Sequence, residues 1–556
     1  MDFKQELAKL IEQQTPLTKT TAYNLLEVPP QTTLGDYALP CFALAKELKK
    51  SPAQIASELE QNFQAPILET TKANGPYLNF FLNKELVNQH VLNKELTAKK
   101  PNKTILFEYP SPNTNKPLHL GHLRNMLLGE ATARICEHAG NNVIRTNLNN
   151  DRGVHICKSM LAYKKYGEGK TPADMNLKPD HFVGHWYVKF AQEAKKNPQL
   201  EQEAQQLLVK WEQGDQEARA LWKQMNDWAH SGFQETYKRL GITFDKEYHE
   251  SEFYEQAKQI VLEAHKKGVF ETDEDNNIIA PLDEPLGDKV VLRADGTAIY
   301  ATQDIGLAKQ KQEDFSPDEQ VYVVAEEQTH YFKQLFAIFD LLGMNHKRHH
   351  LSYGLISLPS GRMKSREGNV VDCDELLDEM QALAKQEIQQ RHDTLAEEEL
   401  TQRAKKIGQA ALNFYMLKYE PKTGFVYNAE ESISFEGETG PYIQYAAARI
   451  TSILNEQAPP DTYEPAELNE ELAYELITAL RQTPQRIQQA AATYKPHIVA
   501  RHALTIAQTF TRFYHEHRIL DAPTKKRDAR LALIQATKKH LEVLLNLLDI
   551  QLLDEM

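Results

Sequence analysis

The sequence predicts a multidomain α/β protein: an α+β N-terminal domain, a doubly wound parallel-sheet domain carrying a helical insertion, and an all-α C-terminal region. Three observations predict it. The run TILFEYP (104–110) is short, apolar and bounded by prolines, as a strand buried on both faces of a parallel sheet would be. A loop, an apolar-periodic helix and a second strand-like run follow it, which is the start of an open α/β sheet. The last stretch of the chain is almost all amphipathic helix, with few breakers.

Taken in order, residues 1–98 read as a first unit. Helical periods at 3–13 and from 40 to 59 flank the turn-rich TTLGDYALP, and GPYLNFFLN reads as a strand. The span 99–373 holds the sheet. After TILFEYP comes the loop SPNTNKP, then a helix from about 118 to Ala139-Gly140, where glycine is a natural terminator. NVIRTNLN is the second strand. Residues 155–285 are long, charged and mostly helical by period, and read as one insertion. Strand-like segments then resume as DKVVLR, AIYATQ, QVYVVA and HHLSYGLISL. Residues 374–431 form a helical connecting region and 432–556 an all-helical domain, with NEQAPPDTYEPAELNEEL as a surface loop inside it.

Composition narrows the function classes. The chain has 556 residues, 41% hydrophobic and 26% charged, with a formal charge of −14. A length near that of three or four domains of roughly 100–200 residues allows each a proper core. No apolar run approaches the roughly 18–20 residues that cross a bilayer, and the polar start MDFKQELAKLIEQQ has no signal-peptide pattern. Cys41, Cys136, Cys157 and Cys373 lie far apart, as expected of reduced thiols in a cytoplasm, and give no zinc framework. The negative balance argues against indiscriminate nucleic-acid coating but leaves room for a local basic surface.

Two motifs carry the chemistry. His119-Leu120-Gly121-His122 stands where a strand's loop enters a helix. A helix N-terminus offers free N–H groups and a positive dipole end, which suits phosphate. Histidines three apart share a helix face and can reach the same phosphate, and Gly121 leaves room for a flat base near the backbone. Alone, the pattern is equally that of histidines capping a helix. Gly361-Arg362-Met363-Lys364-Ser365-Arg366 places three cations within five residues after an apolar strand, an arm able to clamp polyphosphate. Alone, it is a solvated basic loop. Both motifs in one α/β pattern, in this order, favour a nucleotide site. His346, His349 and His350 include no Cys or acid partner, so no metal site is expected there.

HLGH and RMKSR resemble the HIGH and KMSKS signatures of class I aminoacyl-tRNA synthetases. The longer run EYPSPNTNKPLHLGHLRN resembles the arginyl-tRNA synthetase version. LGDYALPCFALAK is similar to that family's additional N-terminal domain, while FEGETGPYIQYAAARI and the closing LALIQATKKHLEVLLNLLDIQLLDEM resemble its anticodon-binding domain. The resemblance implies a Rossmann-like catalytic domain and ATP-dependent ligation of L-arginine to tRNA(Arg) through an adenylate. Mg²⁺ would arrive with ATP, and no structural metal is expected. It assigns His119, Gly121, His122, Met363, Lys364, Ser365 and Arg366 to ATP. Arginine recognition falls to Glu108, Asn113, His119, Tyr300, Asp304 and Gln328. Tyr300 and Asp304, four apart, would share a helix face, with the ring beside a guanidinium held by carboxylates.

The sequence departs from the family pattern at Ser365, where the second KMSKS lysine is usual. Arginyl enzymes lacking that lysine resemble this chain in carrying one just before HIGH, here Lys116; Lys364 or Arg366 are the other candidates. A second departure is Glu326-Glu327-Gln328-Thr329, where an Asp often follows the Gln. For tRNA, aromatics beside cations offer stacking surfaces: Phe435, Tyr442, Gln444, Tyr445 and Arg449, then Phe513, Tyr514, His515, His517 and Arg518. Lys525, Lys526, Arg527, Arg530, Lys538 and Lys539 read as an exposed basic helix face. A monomeric, cytoplasmic enzyme without a membrane partner is the expectation; a catalytically silent tRNA-binding paralogue and a class I synthetase for another amino acid are the alternatives.

Overall fold

A computed structural model describes residues 2–96, 102–359, 371–391 and 395–556. The apolar run 104–108 does what its composition demands. Thr104–Glu108 lies in the middle of a five-stranded sheet, with Ile105, Leu106 and Phe107 buried. Across the sheet the strands are Lys347–Tyr353, Glu319–Ala325, Thr104–Glu108, Asn142–Asn149 and Lys246–His249, every neighbouring pair parallel. In chain order this is 5-4-1-2-3. Its topological switch point falls between the first and fourth strands, where open α/β sheets form a ligand crevice beyond the strand C-termini.

The helix Leu120–His138 packs on this sheet, burying Leu123, Met126, Leu127, Leu128 and Ile135. Side chains of that size contribute about 1.5–3 kcal/mol each on burial. Close approach needs Gly129, where a Cβ would fall 2.6 Å from the Tyr109 ring.

The expected single insertion at 155–285 needs correction. Helices Val154–Tyr166, Pro179–Lys196, Gln199–Glu212 and Gln216–Leu240 do form a helical body. The chain then returns to the main sheet as Lys246–His249, and Glu250–Lys266 packs on Tyr300–Phe315 with Gly306 against Ala257. DKVVLR belongs elsewhere: Lys289–Leu292 joins Glu271–Thr272 and Ile278–Ala280 in a small antiparallel sheet. AIYATQ is not a strand either. Thr302 Oγ1 accepts the Ile299 amide at 2.9 Å, and the helix Tyr300–Phe315 starts there.

In the N-terminal domain the strand Tyr77–Leu82 sits between Tyr37–Pro40 and Leu68–Asn74, all antiparallel. Pro52–Leu59, capped by Ser51 and Gln54, lies against it. Asp36 is buried and accepts the Leu82 amide and the Tyr474 hydroxyl, both at 2.8 Å. It also pairs with Arg481 at 2.9 Å, tying this domain to the helix Glu471–Thr493.

The C-terminal helices Glu397–Leu417, Gly440–Glu456, Glu471–Thr493, His497–Glu516 and Thr524–Leu547 pack around a continuous apolar core. The stretch 455–472 is not merely a surface loop. Leu468 is buried, and Asn88 donates to the carbonyl of Pro465 at 3.0 Å. The basic face is also partly spent, since Lys525 pairs with Glu464, and Lys526 and Arg530 with Glu470, at 2.6–2.8 Å. Among the described residues, no helix is long and apolar enough to cross a membrane.

Candidate active site

Beyond the C-terminus of the first strand the chain runs through 109–119 into the histidine helix. Asn150, just past the second strand, holds this loop: its side chain donates to the Ser111 carbonyl at 3.0 Å and its amide to that of Pro112 at 3.0 Å. Asn113 stands exposed at the rim. The arm residues Arg362, Met363, Lys364, Ser365 and Arg366 lie outside the described residues. Immediately after them, Val371–Cys373 runs antiparallel to 118–120, with Leu120 N donating to Val371 O and Cys373 N to Leu118 O, both at 3.0 Å.

His119 caps the helix. Its Nδ1 accepts the Gly121 amide at 3.1 Å, and His122 Nδ1 accepts the His119 amide at 3.2 Å. The rings stack with centroids 3.8 Å apart. A nitrogen that accepts an N–H carries no proton, so each neutral ring keeps its proton on Nε2, as a donor. Burial, reinforced by Lys116, lowers the His119 pKa to about 4, and burial with its cationic neighbours holds His122 well below the usual range. Lys116 is half-buried, and desolvation lowers its pKa too. Gly121 has a use besides the one expected. A Cβ there would lie 3.0 Å from His119 Cε1, so glycine makes room for the folded-back ring.

Across the switch point, Tyr300 and Asp304 share one face of their helix, as the four-residue spacing predicts. Tyr300 is exposed to 73%. Asp304 accepts a hydrogen bond from the Tyr331 hydroxyl, while burial raises its pKa to about 6. Gln328 is exposed at the end of the short helix Glu326–Gln328.

The structure adds an acid that sequence reasoning missed. Glu250, at the N-terminus of Glu250–Lys266, is 7% exposed, near enough to Asp304 and Tyr300 for their charges to interact, and burial raises its pKa to about 8. Asp151 beside it is already satisfied by the Ser251 amide and hydroxyl, at 2.9 and 2.8 Å. Arg152, a cation close enough to act on Glu250, pairs with Glu212 and lies over the Tyr254 ring at 3.7 Å. Asp304 and Glu250 form no ion pair among the described residues. The only sequence signal for Glu250 was its place after a short polar strand.

Glu108, expected at the guanidinium, has partners within the protein. Its carboxylate faces Lys311, which is fully buried one helix away, and Ser111 Oγ at 3.4 Å. The carboxylate thus already has a buried amine as its partner, one whose own pKa burial lowers to about 7. Gln444 needs correction. It is fully buried and donates to the Gln551 carbonyl at 2.6 Å, a contact inside the core. Tyr442 is half-buried, its hydroxyl 3.1 Å from Thr511, and Phe513 is core.

The other aromatics do gather. Arg449 stacks between Tyr445 and Tyr514, at 4.7 and 4.8 Å from their rings, and Arg391 lies 4.6 Å from Phe435. Phe435, Tyr445, Arg391, Arg403, Ile433 and Met556 border a cavity of about 530 Å³.

Comparison with known proteins covers the whole chain. Residues 84–429 match the family model of class I (R) tRNA synthetase catalytic domains, 443–556 the DALR anticodon-binding domain, and 1–82 the arginyl-tRNA synthetase N-terminal domain. An arginine–tRNA ligase of Treponema pallidum is 42% identical over 96% of this chain and 95% of its own. One of Bacteroides thetaiotaomicron is 40% identical over 87% of each. The solved arginyl-tRNA synthetase of Thermus thermophilus is 26% identical, with a TM-score of 0.86 over 100% of this chain and 99% of its own.

Proposed function

The chain belongs to the arginyl-tRNA synthetase family of class I and charges tRNA with arginine for translation, and from that premise we propose how its residues divide the work. The carrying observation is the pair of desolvated carboxylates, Asp304 and Glu250, which form no ion pair among the described residues. A guanidinium between them supplies the missing charge through bidentate hydrogen bonds, with Tyr300 beside its plane. Asn113 and Gln328, at the rim, are placed for the substrate's α-amino and carboxylate groups.

The arginine carboxylate oxygen attacks the ATP α-phosphorus. The new P–O bond forms as the bond to the β-phosphate bridging oxygen breaks, and pyrophosphate leaves with that electron pair. The Nε2–H donors of His119 and His122 face this phosphate, and Lys116 supplies the cation expected of the missing second KMSKS lysine. Lys364 and Arg366 remain candidates for the β- and γ-phosphates. No covalent enzyme intermediate is needed; catalysis is positioning plus stabilisation of charge on phosphate. Mg²⁺ enters with ATP. The acyl group then passes to the terminal adenosine of the tRNA, whose anticodon loop we place on Phe435, Tyr445, Arg449 and Tyr514. We read the enzyme as a cytoplasmic monomer.

Charging assays with all twenty amino acids, alongside ATP–pyrophosphate exchange in the presence of tRNA, test this reading. Arginine alone should be accepted. Exchange that does not respond to arginine would leave a silent tRNA-binding paralogue instead.

A further inference from the structure

The helical body at 154–240 has no part in the mechanism above, yet it touches the phosphate end of the crevice from two sides. Gly184, on the helix Pro179–Lys196, abuts the Lys116-Pro117 turn; a methyl there would fall 2.6 Å from Pro117 Cδ. One turn earlier on the same helix, His181 Nε2 lies 3.1 Å from Asp372. Asp372 is the residue bridged to His119, and it caps the next helix by accepting the amides of Asp374 and Glu375 at 2.8 and 3.1 Å.

Lys178 and Arg239 extend the contact. Lys178 bonds Asp374 at 2.7 Å, Thr236 at 2.6 Å and Asp180 at 3.3 Å, and Arg239 pairs with Asp378 at 2.5 Å. Asp180, His181 and Asp374 could otherwise pass for a metal cluster, with ligand atoms within 4.8 Å of one another. The ammonium of Lys178, bonded to both aspartates, already stands in the cation's place. His181 and Asp372 each favour the other's charged form. Donating to the Asp372 carboxylate raises the imidazole pKa, and against the effect of burial His181 holds the carboxylate low.

We propose that the inserted helices are a buttress for the phosphate end of the site, with Lys178 and His181 as positioning residues: His181 fixes Asp372, and through it the backbone of His119, Lys178 fixes the helix end that Asp372 caps by holding Asp374, and Gly184 fixes the turn carrying Lys116. This rests on the reading of that end as the ATP site. The ion pairs are partly buried and made by short, branched contacts to one capped helix end, so their value lies in register rather than in net stability. A misplacement on the order of 1 Å at such a site costs up to about 10²-fold in rate.

The test is steady-state arginine activation by the full chain with tRNA present, varying ATP, arginine and tRNA in turn. The variants are His181→Asn, Lys178→Met, its conservative control Lys178→Arg, and Gly184→Ala. His181→Asn, Lys178→Met and Gly184→Ala should each raise the KM for ATP or lower kcat by roughly 10–100-fold. The KM values for arginine and tRNA should stay within about twofold, and Lys178→Arg should recover most of the loss. Gly184→Ala acts on the Lys116-Pro117 turn and touches none of the ion pairs, so it still decides the matter if an ion-pair variant fails to fold. Unchanged ATP kinetics in folded variants, or equal losses toward all three substrates, would overturn the proposal. Wild-type enzyme run in parallel separates this from failure of the functional reading, which would show as no arginine-dependent exchange at all.

Discussion

At the phosphate end of the crevice, burial favours the proton-free forms of Lys116, His119 and His122, whereas at the arginine end it presses protons onto Asp304 and Glu250. The two ends are electrostatic opposites built in the same way. Each holds desolvated groups short of a partner of the other sign, and each is relieved by one substrate: a polyphosphate at the first, a guanidinium at the second. The contrast with Glu108 and Lys311 is instructive, because those two satisfy each other. A paired group sets the scaffold, and an unpaired one in a crevice marks where a ligand goes.

The largest effect is expected at Asp304. Asp304→Ala removes the carboxylate and leaves the Tyr331 hydroxyl without its acceptor. Arginine kcat/KM should fall at least about 10³-fold, in line with sites that read a ligand through buried hydrogen bonds. Unchanged arginine kinetics would remove Asp304 from the pocket. Next comes Lys116→Ala, for which kcat for activation should drop about 10²–10³-fold, the usual loss for one transition-state donor. Full activity in that variant would move the compensating charge to Lys364 or Arg366.

Glu250→Gln sharpens the arginine end. It should raise the arginine KM by roughly tenfold or more at pH 8, since a charge-assisted hydrogen bond becomes neutral. The pH dependence follows the same residue. With a pKa near 8 in place of 4.5, Glu250 binds a proton in the folded state that the unfolded chain has already lost. Its contribution to stability is therefore full below about 4.5 and lost as pH rises through 8. Bound arginine reverses that loss, so the thermal shift produced by arginine should grow from pH 6 to pH 8 in wild type and flatten in Glu250→Gln. The smallest effect is expected far from both ends. Arg449→Ala, which removes the guanidinium lying over the Tyr445 and Tyr514 rings, should raise the tRNA KM by roughly tenfold, within the ~1–3 kcal/mol typical of a stacking contact. The KM values for ATP and arginine should not move.

What could be read from the sequence follows the locality of each signal. His119, His122 and Lys116 sit within seven residues, and Tyr300 and Asp304 within one helical turn, so spacing alone groups them. The pairing of Glu108 escaped notice because its partner, Lys311, lies 203 positions away. Glu250 escaped notice because it follows Lys246–His249, a four-residue edge strand too short and too charged to show an apolar pattern. The same strand explains why one insertion was expected where the main sheet in fact reappears. Gln444 shares a helix with Tyr445 and Arg449, yet successive helix positions face about 100° apart, which turns it into the core. AIYATQ carries strand-like residue types, but Thr302 caps the start of a helix there.

The arginine end waits in a partly protonated state for a cation. Calorimetric titration of arginine into the tRNA-bound enzyme at pH 7, in two buffers of different ionisation enthalpy, measures it directly. Wild type should release a proton fraction approaching one per arginine bound, and Glu250→Gln clearly less. Arginine binding with no proton release, the same in both proteins, would contradict the account.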